Sequence, residues 1–192
     1  MEIIEIKGTK REVLGRKTAL DLRRVDQVPS VLYGGKDIIH FYAHEFEFKK
    51  IIFTPNVYVV NLDVDGKKVK CILQDTQFHP LSDKLVHADF LEIEESKPVS
   101  IKIPVKLTGV SEGVKQGGKL SMKMRTLKVK GLVKNLPDVL EVDITKLGLG
   151  QSIKIDTLNF PNLEILESKS AIVCVVNATR GSVKEAVATG KK

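Results

Sequence analysis

The sequence predicts a mainly β protein built as two β-rich domains, and three observations carry that expectation. Apolar and polar residues alternate with a period of two over much of the chain, the signature of strands with one buried face. The 192 residues exceed one average domain and fit one large or two modest ones. The charge balance also changes sign near the middle. Residues 1–95 carry 14 basic and 16 acidic side chains, a net of −2, and residues 96–192 carry 17 and 8, a net of +9. The change falls at Glu94-Glu95-Ser96-Lys97-Pro98, a polar stretch ending in proline. The expected domains are therefore 1–95 and 96–180, followed by a small-residue, aperiodic tail over 181–192 that reads as disordered.

Taken in order, Glu2–Lys7 alternates as a strand, and Thr18–Val25 has the spacing of a short helix with Thr18 able to cap it. Strands follow at Ser30–Tyr33 and Ile38–Ala43. Glu45–Phe53 reads as a second helix, because Phe46, Lys49, Lys50 and Phe53 recur at helical spacing. Neither helix is long enough to stand without tertiary packing. Val57–Asp63 and Lys67–Leu73 flank Asp65-Gly66, whose residues suit the positive φ angles of a tight antiparallel hairpin. Further strands are expected at Leu85–Glu92, Val99–Leu107, Leu127–Val133, Leu140–Asp143, Ser152–Ile155 and Ala171–Val176.

Composition narrows the function. Hydrophobic residues make up 42% and charged residues 29%, with no apolar run long enough to cross a bilayer. The opening Met-Glu-Ile-Ile lacks the regions of a signal peptide, so a cytoplasmic protein with reduced thiols is expected. Cys71 and Cys174 sit in apolar strand-like runs and read as core residues. The net charge of +7 suits a polyanion, while aromatics at 5% and the absence of Trp argue against a broad base-stacking platform. Two basic stretches stand out. Lys7–Arg24 holds seven basic residues against Glu12 and Asp21, and Lys115–Lys134 holds seven with no acid. Either run suits a polyanion, or simply a solvated strand or loop face.

Sites for chemistry are sparse. Gly113-Val-Lys-Gln-Gly-Gly118-Lys119 approaches a phosphate-binding loop, but Leu120 stands where a hydroxyl must meet magnesium, so a plain loop between strands is expected. His40, His44, His79 and His87 have no ligand spacing, and no metal or cofactor is implied. His87 and Asp89 are two apart in Leu85-Val-His-Ala-Asp-Phe-Leu91. On a strand they share one face while Val86, Ala88 and Phe90 turn into the core. A polar pair of this kind could serve as a general acid–base dyad, yet no nucleophile accompanies it and Ser82 sits in a turn. An enzyme is therefore the weaker reading.

Four blocks widen the comparison. They are Gly15-Arg-Lys-Thr-Ala-Leu-Asp-Leu-Arg-Arg-Val-Asp-Gln-Val-Pro-Ser-Val-Leu-Tyr-Gly-Gly35, then Gln74-Asp-Thr-Gln-Phe-His-Pro80, then His87-Ala-Asp-Phe-Leu91. The last is Ile103-Pro-Val-Lys-Leu-Thr-Gly with Gly113–Leu120 and Leu136-Pro-Asp through Ile144. In this order they resemble the CTC-type bacterial large-subunit ribosomal proteins, number twenty-five, in their long form with an added C-terminal β domain. The resemblance runs from about Ile4 to Val176. It implies an N-terminal β-barrel with short helices followed by a second β-rich domain, and a structural, non-enzymatic component of the large ribosomal subunit that binds 5S rRNA. By position it assigns to the RNA Arg11, Arg16, Lys17, Thr18, Arg23, Tyr33, Gln74, Gln77, His87 and Asp89. The chain departs from the family at Lys17-Thr18-Ala19 and at Leu20-Asp21, where Asp21 would repel phosphate. The family's other name, general stress protein, leaves open a free cytoplasmic protein with general RNA affinity, and in a ribosomal setting the Lys115–Lys134 run would face other ribosomal RNA or a neighbouring ribosomal protein, or else keep a strand edge soluble.

The chemistry of the assigned residues is consistent with such a role. Arginines and lysines neutralise phosphates and set position, whereas a carboxylate is unfavourable beside phosphate unless it accepts from a base amine or holds a histidine. Asp89 therefore implies base readout.

Overall fold

A computed structural model describes residues 2–35, 37–54, 56–94 and 97–179 of the chain. The 181–192 tail lies outside them. The described residues form two compact units, one running up to Val99 and taking in Leu132–Lys134, the other comprising Ser100–Gly131 and the chain from Asn135 onward.

The first unit is a closed six-stranded barrel. Its strands are β1 (Ile3–Lys10), β2 (Gln27–Tyr33), β3 (Ile39–His44), β4 (Val59–Val64), β5 (Lys67–Phe78) and β6 (Leu85–Glu92), and its helices are α1 (Arg16–Arg24) and α2 (Glu45–Ile52). Around the ring the order is β1-β3-β2-β6-β5-β4, with β4 returning to β1 in parallel. Alternation along the strands sends Ile6, Leu32, Phe41, Val60, Leu62 and Phe90 inward, each no more than 0% exposed. The Phe90 ring packs 5.7 Å from Phe41 and 6.0 Å from Phe48, which α2 delivers to the core. The hairpin at Asp65-Gly66 forms as the sequence predicts, with φ of 49° and 90°. Cys71 is buried, and burial first, then the charge of Glu92, pushes its thiol pKa up to about 12.

The second unit contains β7 (Val99–Thr108), α3 (Glu112–Lys115), β8 (Lys119–Met122), β9 (Thr126–Gly131), β10 (Leu140–Asp143), β11 (Ser152–Lys154), β12 (Glu164–Ile165) and β13 (Ile172–Asn177). They make a sheet of order β10-β7-β9-β12 and a second of order β11-β13-β8. Ile144, Leu147, Cys174 and Val176 form a core cluster there. No helix among the described residues is long and apolar enough to cross a membrane.

Several local expectations are corrected. Thr18 lies inside α1; the cap position belongs to Gly15, and the Thr18 hydroxyl donates back to the Gly15 carbonyl at 3.1 Å. The Gly113–Gly118 segment is not a plain loop, because Ser111 caps a helical turn by accepting from the Val114 amide at 3.1 Å. β5 continues five residues past Leu73, to Phe78, and the segment after Gly131 turns into a 3-10 helix at Val133–Asn135 instead of extending β9. Leu85 is buried and Val86 is only half-buried, the reverse of simple alternation. The reason is a slip in register: Gln77 pairs with His87 but Phe78 pairs with Leu85, leaving Val86 bulged.

Candidate nucleic-acid interface

The outer face of β2, β6 and β5 carries half of the residues singled out from sequence. Register fixes their neighbours. β2 runs parallel to β6 with Val31 beside Asp89 and Tyr33 beside Leu91, and β5 runs antiparallel to β6 with Asp75 beside Asp89 and Gln77 beside His87. One outward patch thus gathers Tyr33, Asp75, Gln77, His87 and Asp89.

A second register slip shapes this patch. Leu73 pairs with Phe90 and Asp75 with Asp89, so Gln74 and Asp75 together stand against a single residue of β6. Gln74 and Gln77 are three apart and would occupy opposite faces of a regular strand. The bulge is what lets both serve one surface. The Gln74 Oε1 atom is buried without a hydrogen-bond partner, an acceptor left open at this place.

His87 Nδ1 lies 2.6 Å from Asp89 Oδ1, with both side chains roughly 30% exposed, at 27% and 31%. The contact at Nδ1 does not meet hydrogen-bond geometry despite its short distance. The Tyr33 hydroxyl is held above the usual tyrosine range, first by burial and then by the carboxylates of Asp89 and Asp75. It therefore stays a neutral donor and acceptor beside two acids.

The cations approach from α1. Arg23 Nε donates to the Val86 carbonyl at 3.0 Å, so the bulge in β6 supplies the acceptor that pins the helix to the sheet. Arg11, just past β1, donates from Nη2 to the Thr18 hydroxyl at 3.2 Å, and its Nε is buried without a partner. Arg16 and Lys17 are exposed in the first turn of α1. Asp21 accepts from Arg24 Nη1 at 3.2 Å, so its charge is met by a neighbour on the same helix. Arg11, Thr18, Asp21 and Leu22 line a groove of about 710 Å³ between the end of β1 and α1.

The assigned residues thus fall into two groups. Tyr33, Gln74, Gln77, His87 and Asp89 share the sheet face, with Arg23 anchored at its border. Arg11 and Thr18 pair at the groove, with Arg16 and Lys17 in the same stretch of chain. Sequence reasoning missed two contributors, Asp75 and the Val86 carbonyl. Asp75 lies two residues from Gln77 and was findable from parity alone; the carbonyl depends on a bulge that no residue type announces.

Comparison with known proteins covers both halves of the chain. The Ribosomal L25p family model matches residues 6–90, and the model described as ribosomal protein TL5, C-terminal domain, matches residues 98–180. Among curated relatives, large ribosomal subunit protein bL25 of Bacteroides thetaiotaomicron is 43% identical over the whole of both chains. The protein of the same name from Phocaeicola vulgatus is 44% identical, again over the whole of both. That of Porphyromonas gingivalis is 42% identical over 97% of this chain and 98% of its own. With full-length identity at this level and both halves matched, the chain belongs to the bL25 family of ribosomal proteins, in the long form that joins an L25p domain to a TL5-type C-terminal domain.

Proposed function

We propose that the protein is a non-catalytic structural component of the large ribosomal subunit, at work in the cytoplasm, and that its barrel binds 5S rRNA through the outer face of β2, β6 and β5 together with α1. The observation that carries the reading is the meeting of Tyr33, Gln77, His87 and Asp89 on a rigid sheet face bordered by Arg23. Folded RNA is recognised by shape, phosphate and 2′-OH contacts, with base edges open where irregular pairs widen a groove. A sheet face of neutral and acidic acceptors reads such edges, and the neighbouring guanidinium and ammonium groups hold the phosphates. Asp75 and Asp89 accept from exocyclic amines, and the unfilled acceptor of Gln74 has a partner to gain on binding. The Ser82 hydroxyl, the serine nearest the His87–Asp89 pair in sequence, lies 3.1 Å from His79.

The test is a titration of the full-length protein with 5S rRNA and with a scrambled RNA of equal length, beside sedimentation of ribosomal subunits from cells producing a tagged chain. Tight binding to 5S rRNA over the scrambled RNA, with co-sedimentation in the large subunit, is the expected result. Equal affinity for both RNAs and a chain that stays at the top of the gradient would overturn it.

A further inference from the structure

The barrel closes on both sides of β1, but one seam is short. Along β4 the pairing runs from Ile3 with Val59 to Gly8 with Val64, whereas along β3 it comprises only Thr9 with Tyr42 and Lys10 with Phe41. Two hydrogen bonds fix which way the backbone groups point. The Glu2 carbonyl accepts from the Val59 amide at 3.1 Å, and the Arg11 amide donates to the His40 carbonyl at 2.8 Å. In a strand the amide and carbonyl of one residue face one neighbour and those of the next residue face the other. Even-numbered residues of β1 therefore serve β4, and odd-numbered residues serve the β3 side. Ile3, Glu5 and Lys7 lie beyond the last pair with β3, so their backbone groups face an edge with no strand alongside among the described residues.

That edge has a shaped wall. The chain leaves β3 at His44 and enters α2, which encloses with β1 a groove of about 400 Å³ lined by Ile3, Ile4, Glu5, Phe46, Glu47 and Lys50. Ile3 is 60% and Phe46 65% exposed, large apolar surface in a place where the barrel core gains nothing from it. In the ring of six, β6 is three strands from β1, so this edge is on the far side of the barrel from the β2-β6-β5 face. Both can be occupied at once.

We propose that the open edge of β1 receives one added strand from another protein. The occupant is an extended segment that sets an apolar side chain against Ile3 and Phe46 and a basic one against Glu5 and Glu47. Strand addition supplies donors and acceptors at strand spacing, and the side chains choose the partner. RNA cannot match that alternation, and in the groove Glu5 and Glu47 outnumber Lys50, which leaves its phosphates a net repulsion. A tail or loop that arrives without a helix beside it fits. The inference rests on the ribosomal reading, because the large subunit is where such a neighbour is sought.

The experiment uses the full-length chain carrying p-benzoylphenylalanine in place of Phe46, incorporated into large subunits, with the same photoprobe in place of Ile38 as a control elsewhere on the barrel. Irradiation is expected to join position 46 to one protein, at a peptide rich in Lys or Arg with apolar neighbours. Glu5→Pro removes an amide that faces the open edge and costs no barrel hydrogen bond, a position where proline is tolerated. It is expected to lower the adduct at least tenfold while the chain stays in the subunit. Glu5→Lys leaves the backbone intact and reverses the charge, and it too should lower the adduct; it decides the matter alone if the proline variant fails to fold. An adduct only with rRNA, an adduct with a second copy, no adduct, or an adduct unchanged in the variants overturns the proposal. A chain missing from the subunit overturns the ribosomal reading and this one with it, whereas a chain present without the protein adduct overturns this one alone.

Discussion

Asp89 works against the electrostatics of its surroundings. It stands directly opposite Asp75 across the β5–β6 pair, an arrangement of like charges that weakens a sheet. On a surface proposed to meet phosphate the cost is greater still, and under that proposal the carboxylates recover it from base amines that the correct RNA presents. Asp89→Asn keeps the size but turns one acceptor into a donor. It is expected to weaken binding to 5S rRNA by about 1–3 kcal/mol, by analogy with base readout in DNA, and to leave binding to scrambled RNA unchanged or stronger. Arg23→Ala is expected to weaken both RNAs alike and to flatten the log–log salt slope by about 0.7–0.9, one phosphate contact. Fluorescence titrations of both variants at two salt concentrations decide the matter; an equal loss on both RNAs for Asp89→Asn would mean it only maintains the fold. Tyr33 offers a check without RNA. Its hydroxyl pKa is raised in the folded protein above the ordinary value of 10.0 by burial and by Asp89 and Asp75. The neutral hydroxyl is therefore favoured by folding, and the stability that depends on it is complete below pH 10 and lost as pH rises through the higher folded value. In Asp75→Asn the absorbance titration of Tyr33 should move back toward ordinary tyrosine; no movement would place Asp75 away from the hydroxyl.

Helix α1 shows how one backbone position sets the geometry of several cations. Gly15 precedes it with φ 143° and ψ 171°, a region almost closed to other residues, and nothing lies within 4 Å of where a Cβ would stand. The penalty for Gly15→Ala is therefore conformational, with no clash in it. It is expected to cost about 1–3 kcal/mol in stability or to shift the first turn that carries Arg16 and Lys17. A thermal melt shows the first outcome, and weaker binding to any RNA at low salt shows the second; a variant identical to the parent in both would remove the role of this cap. The strands themselves were legible because one face of each is buried, so that polarity repeats every two residues from Val86 to Phe90 and from Val99 to Thr108. What sequence could not give are the places where parity breaks. The bulges at Gln74 and Val86 shift the register without any glycine or proline to mark them. Likewise β8, at an edge, alternates little, and β12 has only two residues to show a pattern. Asp75, by contrast, was legible from its parity with Gln77, and Thr18 suggested a cap where glycine performs that role.

At the scale of the molecule, charge and contacts divide the chain in the same region but by different physics. The first unit has its own closed core, from Ile6 and Leu32 to Phe90, and every residue assigned to RNA lies within it. Its net charge is nevertheless close to neutral, because the basic stretch from Lys7 to Arg24 is balanced by acids elsewhere on the barrel. The second unit holds the larger positive charge, including Lys128 and Lys130 on β9, yet Lys130 already lies 3.8 Å from the Glu164 carboxylate across the sheet. Total charge and placed charge thus favour different halves as the RNA-binding unit. A barrel in which buried apolar residues meet from all six strands is expected to fold without the other unit. Residues 1–95 are therefore expected to fold and to bind 5S rRNA with nearly the affinity of the full chain. Four or five phosphate contacts from Arg11, Arg16, Lys17, Arg23 and a neighbour imply a log–log salt slope of very roughly −3 to −4.5. Total charge predicts the opposite: residues 96–192 would carry the affinity and the fragment almost none. Circular dichroism of the two fragments, followed by titration of each against 5S rRNA across a salt series, separates these outcomes. A folded 1–95 fragment that fails to bind, or binds without salt dependence, would assign the interface to the second unit or remove the phosphate contacts from the account.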